Sequence, residues 1–365
     1  MKVLLCTPYD LSEKNPGGIS VWAKNIVDYH KEHPDEGITL DVFQTTRTHN
    51  VNENTKKINR LVYGIKDYMF FINGIVREVK EHNYDVAHVT TTASLGSIKD
   101  IVLCRKLKKR GVKVFLHYHF GRIPSLIAAN NWEWKLVKRS IKLSYKTIVM
   151  DHRSYEALKS IQINNVVEVP NPYSPELEKQ VIDLEGIVQR VPHRILYAGR
   201  VFRKKGVYEL VKACAQIPNI ELRLVGPCEE VDKNNLLDIA NHGDWIHFVG
   251  PVPHERVMEE LMAADIFVMP TYNEGFPNAV LECMISKTPI IVTPVGAIPE
   301  MLDFGHNPCG LEIRPYIVED IVLAIQKLID DNTQKKAMTA LAYHRVRERY
   351  SLTTVGKMLF DVWKS

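Results

Sequence analysis

Short apolar runs alternate with helix-length segments along the whole chain, and the alternation starts afresh midway. In the first half, KVLLC, DVFQT, DVAHVT, VKVFLHYH and KTIVM read as buried strands, with helices expected at 18–33, 66–82, 97–110 and 130–144. VVEVPNP closes this half, and a polar, less regular stretch follows from Ser174 to His193. RILYAG then restarts the pattern, followed by IELRLVG, IHFVG, IFVMP and PIIVTP, with helices expected at 206–216, 232–241, 254–263, 277–287 and 317–331. Strands that are apolar throughout, each followed by a helix, belong to parallel sheets covered on both faces. The predicted fold is therefore α/β, with two doubly wound Rossmann-like domains facing across a cleft. We divide it into residues 1–175, residues 190–345 and a C-terminal helix over 346–365 that returns to the first domain. Ligands of such sheets bind beyond the carboxyl ends of the strands.

The chain has 365 residues, ample for two domains, and its 45% hydrophobic and 25% charged content is that of an ordinary globular enzyme. Six scattered cysteines with no Cys-x-x-Cys pair point to reduced, mostly buried thiols and against a zinc site. The opening MKVLLC is too short for a signal peptide or a membrane span, so a cytoplasmic protein is expected. A formal charge of +4 gives no reason to expect nucleic acid as a partner. The charge is uneven, however. NNWEWKLVKRSIKLSYK (130–146) carries five lysines or arginines against the single acid Glu133, interleaved with Trp132, Trp134, Leu136, Val137, Ile141, Leu143 and Tyr145. Such a helix suits peripheral contact with an anionic membrane surface at the inner face of the cytoplasmic membrane. A partly buried helix with a solvated basic side is the equal alternative.

The chemistry concentrates in NEGFPNAVLE (273–282), pinned between two core strands. Glu274 follows the strand 266–270 and lies at its carboxyl end. Pro277 suits a first helical turn, which puts Glu282 in the second. Carboxylates accept paired hydrogen bonds from sugar diols, and a helix start between them favours an anion. The segment thus suits a ligand built as sugar, phosphate, sugar. A loop charge and a solvated helix residue would have the same spacing. Arg200 at one strand end and Lys205-Gly206 ahead of the next helix supply cations able to neutralise a diphosphate, including the charge that develops as it leaves. TPVGAIPEML, with Gly296 before Pro299-Glu300, is a third tight turn into a helix.

Arg200 and Lys205, then Glu274 and Glu282 in EGFPNAVLE, then TPVGAIPE, resemble the signature of glycosyltransferase family 4, retaining enzymes of the GT-B architecture that use nucleotide-diphospho-sugars. NPGGISVWAKNIV (15–27) resembles that family's Gly-Gly loop and first helix, and YDVAHVT, GVKVFLHYH and VVEVPNP fall where similar strands are expected. The resemblance implies that Arg200 and Lys205 bind the donor diphosphate, that Glu282 holds the ribose hydroxyls and that Glu274 contacts the donor sugar. It further implies that backbone amides around Phe276, Pro277 and Asn278 hold sugar and phosphate, and that Gly17 and Gly18 let the backbone approach the diphosphate. His119 matches the family histidine directed at the donor sugar, with His117 as a neighbouring decoy. One departure is Asp151-His152-Arg153-Ser154, where many relatives have a serine soon after the strand. The run from Val181 to Arg190 matches no family motif.

The expected reaction is transfer of a hexose from a nucleoside diphosphate, UDP before GDP, to a hydroxyl of a glycan or lipid-linked acceptor, with retention. No Asp-x-Asp motif stands at a strand end, so no metal and no cofactor beyond the donor are expected. The setting suggested is bacterial surface-polysaccharide assembly. The nucleobase is expected to meet backbone groups near 248–253, and INRLVYGIKDYMFFING (58–74) is a candidate flank of the acceptor site. A sugar-nucleotide epimerase of the same architecture and a non-catalytic nucleotide-sugar binder are the alternatives. A dinucleotide oxidoreductase lacks its Gly-x-Gly-x-x-Gly after the first strand.

Overall fold

The computed structural model describes residues 1–9, 17–34, 37–46 and 57–365, with side chains from Val62 onward in the last of these segments. Asn15 and Pro16 of the Gly-Gly stretch, and the side chains of 58–61, lie outside the described residues. The chain divides into two compact units, residues 1–171 with 355–365, and residues 172–354.

In the first unit the strands are β1 (Lys2–Thr7), β2 (Thr39–Gln44), β3 (Val86–Thr91), β4 (Lys113–Tyr118), β5 (Lys146–Val149) and β6 (Val166–Glu168). All pair in parallel, in the order β2-β1-β3-β4-β5-β6. The chain therefore leaves β1 towards one edge and returns on its other side, which makes the β1/β3 boundary the switch point. The helices are α1 (Gly18–Glu32), α2 (Lys57–His82), α3 (Gly96–Lys108), α4 (Ile123–Ala129), α5 (Trp132–Leu143) and α6 (His152–Ser160). One face of the sheet is buried under α2 to α6, through Phe71, Ile75, Leu103, Leu126, Val137 and Leu158. On the other face Trp22, Ile26 and Tyr29 of α1 are buried. Tyr29 meets the ring of Phe360 edge-on at 5.0 Å. Phe360 belongs to α15 (Leu352–Lys364), most of which is part of this unit.

In the second unit the strands are β7 (Arg194–Ala198), β8 (Glu221–Val225), β9 (Ile246–Gly250), β10 (Ile266–Met269), β11 (Ile290–Val292) and β12 (Leu311–Glu312). They too are all parallel, in the order β12-β11-β10-β7-β8-β9, so the switch point lies between β7 and β10. The covering helices are α7 (Pro175–Leu184), α8 (Val207–Cys214), α9 (Glu230–Ile239), α10 (His254–Ala263), α11 (Asn278–Ile285), α12 (Ile298–Met301), α13 (Val318–Asp330) and α14 (Asn332–Tyr350).

Several local expectations need correction. The stretch from Ser174 to His193 is not irregular: Ser174 caps α7 by accepting from the Leu177 amide, and Pro175 occupies its first turn. The run from Val181 is thus the end of that helix and a turn. Helix α2 begins nine residues before the expected 66. The helix expected at 130–144 starts only after Asn130, whose φ of 42° ends α4, while Asn131 caps α5 through the Trp134 amide. Pro277 precedes α11 as its cap residue and stands outside the first turn. The aromatics of 130–146 are not interfacial as a set: Trp134, Val137 and Ile141 are buried in the core, and Trp132 and Tyr145 are the exposed ones. Asp151 is the N-cap of α6, accepting from the Ser154 amide at 2.8 Å, which explains a carboxylate there. Burial raises its pKa.

Candidate active site

The switch point of the second unit brings two loops together. After β7 the chain passes Gly199, Arg200 and a short 3-10 turn, Arg203–Lys205, which Gly206 closes with a φ of +69°. Two contacts hold this loop. The buried Tyr197 hydroxyl donates to the Arg200 carbonyl at 2.9 Å, and the Val201 amide donates to the Pro227 carbonyl at 2.9 Å. A Cβ on Gly206 would lie 2.0 Å from the Pro270 carbonyl oxygen, so the β7 loop packs directly on the loop after β10. Tyr272, in that second loop, donates through its hydroxyl to Glu209 of α8 at 2.5 Å and ties the loop to the helix that follows the first. Its ring also lies against Tyr316, 3.9 Å between centroids.

The consequence is that Lys205 and Glu274 meet. Lys205 Nζ donates to Glu274 Oε1 at 2.5 Å, with both side chains largely shielded from solvent. The third loop, after β11, braces Glu274 from behind. Gly296 has a φ of +58°, and a Cβ there would come within 2.5 Å of the Glu274 carbonyl oxygen. The Ala297 amide donates to the Gly275 carbonyl at 2.9 Å, and the buried Thr293 hydroxyl donates to the Thr271 carbonyl. The glycine of TPVGAIP is therefore required by close backbone approach as well as by its dihedral.

Phe276 is buried, with its ring edge-on to Tyr350 at 5.5 Å. Its side chain is an anchor, and what this stretch offers a ligand is backbone. Asn278 and Ala279 open α11, where amides precede the helical ladder. One turn further on, Glu282 is mostly shielded, and its Oε1 lies 3.0 Å from His254 Nε2 at the start of α10. That hydrogen bond, and the negative charge behind it, raise the pKa of the half-exposed His254. Arg200 is more exposed and pairs with Glu229 at 2.8 Å, its guanidinium lying near the Phe202 ring.

Each charged residue singled out in this unit therefore has an opposite partner: Lys205 with Glu274, Arg200 with Glu229, Glu282 with His254. The first of these pairs joins two of the expected residues. Glu229 and His254 were missed, because ion pairs across 28 or 29 residues leave no periodic trace. An ammonium has three donors, and the Glu274 contact uses one of them. The arrangement is chemically a preorganised set of cations and carboxylate acceptors at the carboxyl ends of β7 and β10, where doubly wound sheets bind ligands.

In the first unit Gly17 precedes α1 and Gly18 begins it. Gly17 has an ordinary φ of −64°, and a Cβ there would meet nothing within 4 Å among the described residues, so neither their packing nor its own backbone geometry calls for glycine. His119 follows β4, 4.1 Å from the His117 ring and edge-on to Trp22 at 4.9 Å. Burial lowers its pKa to about 3, so the imidazole is neutral near pH 7. Its buried Nε2 has no hydrogen-bond partner among the described residues. His117 is fully buried in the same cluster, as is His88, whose Nδ1 accepts from Trp363 Nε1 at 2.9 Å. Among the described residues, the one set of three acids or histidines close enough for a metal ion is Glu78, Glu81 and His82, solvent-facing groups at the last turn of α2. Surface carboxylates of this kind are common on helices. All six cysteines are free thiols.

Comparison with known proteins places the chain among glycosyltransferase-like sequences and folds. Residues 189–345 match the sequence model of the family described as Glycosyl transferases group 1. The putative teichuronic acid biosynthesis glycosyltransferase TuaC of Bacillus subtilis is 29% identical over 173 residues, covering 47% of this chain and 41% of that one. The D-inositol 3-phosphate glycosyltransferase of Corynebacterium kroppenstedtii is 28% identical over 183 residues, 47% of this chain and 40% of its own length. The alignments thus take in less than half of the curated relatives. Among solved structures, sucrose-phosphate synthase from Thermosynechococcus elongatus superposes with a TM-score of 0.78 at 18% identity, covering 100% of this chain and 98% of that one. HepE of Anabaena in complex with UDP gives 0.72 at 15% identity, with both chains covered in full. The chain has the GT-B fold, and its second unit carries the match to glycosyl transferases group 1.

Proposed function

We propose that this protein is a retaining hexosyltransferase that uses a nucleoside-diphosphate sugar, UDP- in preference to GDP-, and a hydroxyl acceptor on a glycan or lipid-linked glycan. The observation that carries this reading is the Lys205–Glu274 pair at the β7/β10 switch point, held by three loops and followed directly by the start of α11. On this reading Lys205 and Arg200 bind the diphosphate, and their positive charge stabilises it as the leaving group in place of a metal ion. Glu282, steadied by His254, accepts from the ribose diol, and Glu274 accepts from hydroxyls of the donor sugar while holding Lys205. The amides at 276–278 hold sugar and phosphate, and in the first unit Gly17 and Gly18 keep the start of α1 clear for an anion. His119 offers a neutral imidazole to a sugar hydroxyl. The preference for UDP is supported by a structural relative solved with UDP and with UDP-glucose.

The test is nucleoside-diphosphate release from UDP-glucose, UDP-galactose and GDP-mannose, with a glycan and lipid extract as acceptor source, in buffer with EDTA. Proton NMR of the product gives the anomeric configuration. Expected are turnover in chelator, an axial linkage, and a fall of two to three decades in kcat for both Lys205→Ala and Arg200→Ala, or about 3 kcal/mol each. Full activity in either variant removes its leaving-group role. Release of free epimerised sugar with no new linkage would favour the epimerase alternative.

A further inference from the structure

The face of the first sheet that α1 covers holds a polar cluster most of which the proposed reaction does not use. Strand alternation puts Leu5 of β1, His88 of β3, Phe115 and His117 of β4 and Ile148 of β5 on that face, all of them fully buried. Trp22 of α1 stacks on His88, 5.4 Å between centroids, and meets His117 edge-on at 4.9 Å. Trp363 and Phe360 of α15 are also fully buried, stacked on each other at 5.1 Å, and Trp363 stands edge-on to His88. Residues 355–365 belong to this unit, and the buried polar bond that ties them to its sheet runs from Trp363 Nε1 to His88 Nδ1 at 2.9 Å. Because Nδ1 accepts, the neutral His88 carries its proton on Nε2. That Nε2 and both ring nitrogens of His117 are buried without a hydrogen-bond partner among the described residues.

We propose that this cluster is an acid-sensitive latch: proton uptake by His88 and His117 unseats α15 from the first unit. A proton on His88 Nδ1 sets two N–H donors face to face, so the bond from Trp363 is abolished. A cation in this packing finds no carboxylate. The neighbours are Trp22 from α1, Trp363 from α15, Leu5 from β1 and Ile148 from β5, and the groups able to carry charge there are the histidines themselves, including His119. Two imidazolium rings 5.3 Å apart would also repel each other. Burial accordingly lowers the pKa of His88 to about 3 and holds His117 well below the ordinary imidazole range, with His119 pushing both the same way. The seated state therefore binds fewer protons than the open state, in which histidine titrates near about pH 6.5. The hold on α15 is complete above about pH 7 and is lost progressively as pH falls through the open-state value. His254 of the second unit, raised by Glu282, has the opposite sign, so the acid that loosens α15 strengthens that pair. The latch does not depend on the proposed transfer reaction, and its test measures opening alone.

The experiment is amide hydrogen exchange of the full chain, read at residues 355–365 at pH 7 and pH 5 and corrected for the intrinsic effect of pH on exchange. Each histidine that stays neutral when seated and titrates freely when open multiplies the opening constant about 25-fold over this range. With two such groups, the parent should open about 600-fold more readily at pH 5 than at pH 7. His88→Asn keeps an acceptor near the place of Nδ1 but takes up no proton, and His117→Leu replaces an unpartnered ring with apolar atoms. Each should cut the rise to about 25-fold. The ratio is taken within one protein, so a change in overall stability drops out, and the two variants approach it independently. Strands β7 and β8 of the second unit should keep their protection at both pH values. Protection of 355–365 that is the same at both, variants that retain the full rise of the parent, or second-unit strands that open in parallel with α15 would each overturn the proposal.

Discussion

The His254–Glu282 pair puts a titratable switch beside the proposed ribose acceptor. Free histidine titrates near pH 6.5, and in the folded chain Glu282 lifts His254 above that value. A raised pKa means that the native state holds the proton more tightly. Its stabilisation is complete below about pH 6.5 and disappears as pH rises through the folded value. Melting temperatures of the parent and His254→Ala, followed from pH 5.5 to 9, should differ most at the acid end and converge at the alkaline end. A gap that is constant or widens with pH would show that the pair does not hold a proton. The residues of this site were legible to different degrees. Arg200, Lys205, Glu274 and Glu282 stood out because each sits at a strand end or a helix start that the local pattern already fixed. Their partners Glu229 and His254 did not, since strand order alone decides which loops meet. In the first unit His119 was singled out by its register at the end of β4, whereas its orphaned Nε2 and the neighbouring His88 and Trp363 emerge only in three dimensions.

At the level of elements, the site rests on turns that glycine makes possible. Gly206 and Gly250 share nearly the same dihedral, φ of +69° and +78°, but differ in surroundings: a Cβ at Gly206 would strike the Pro270 carbonyl, and one at Gly250 meets open space. Gly250→Ala should therefore cost only the left-handed strain, about 1–2 kcal/mol. Gly206→Ala should cost clearly more and disturb the Lys205–Glu274 contact as well. Urea titrations of the two variants compare these costs directly, and equal losses would mean that loop packing is not what demands glycine at 206. Helices announced by caps were readable in principle: Ser174-Pro175 before α7 and Asp151 before α6 are ordinary start signals hidden in polar sequence. Helix α14 gave little to read. It is 19 residues long, and its buried residues are limited to Met338, Ala342, Val346 and Tyr350, four positions apart on a narrow stripe.

For the whole molecule, the two alternating halves were legible as two parallel sheets because short strands rich in buried apolar residues alternate with helix-length segments. What the pattern could not supply was strand order. The order places β7 beside β10, and that adjacency brings Lys205 onto Glu274 within the set Arg200, Lys205, Glu274 and Glu282. The central claim is that this set binds a nucleoside-diphosphate sugar. Isothermal titration calorimetry of UDP-glucose and GDP-mannose into the parent, Glu282→Ala and Lys205→Ala tests it most directly. The account predicts saturable binding of one nucleotide class by the parent. In Glu282→Ala that binding should fall by roughly ten- to a hundredfold, as loss of a charge-assisted hydrogen bond worth about 1.5–3 kcal/mol requires. A further loss is expected in Lys205→Ala. No binding of either donor, or an unchanged affinity in Glu282→Ala, would contradict it.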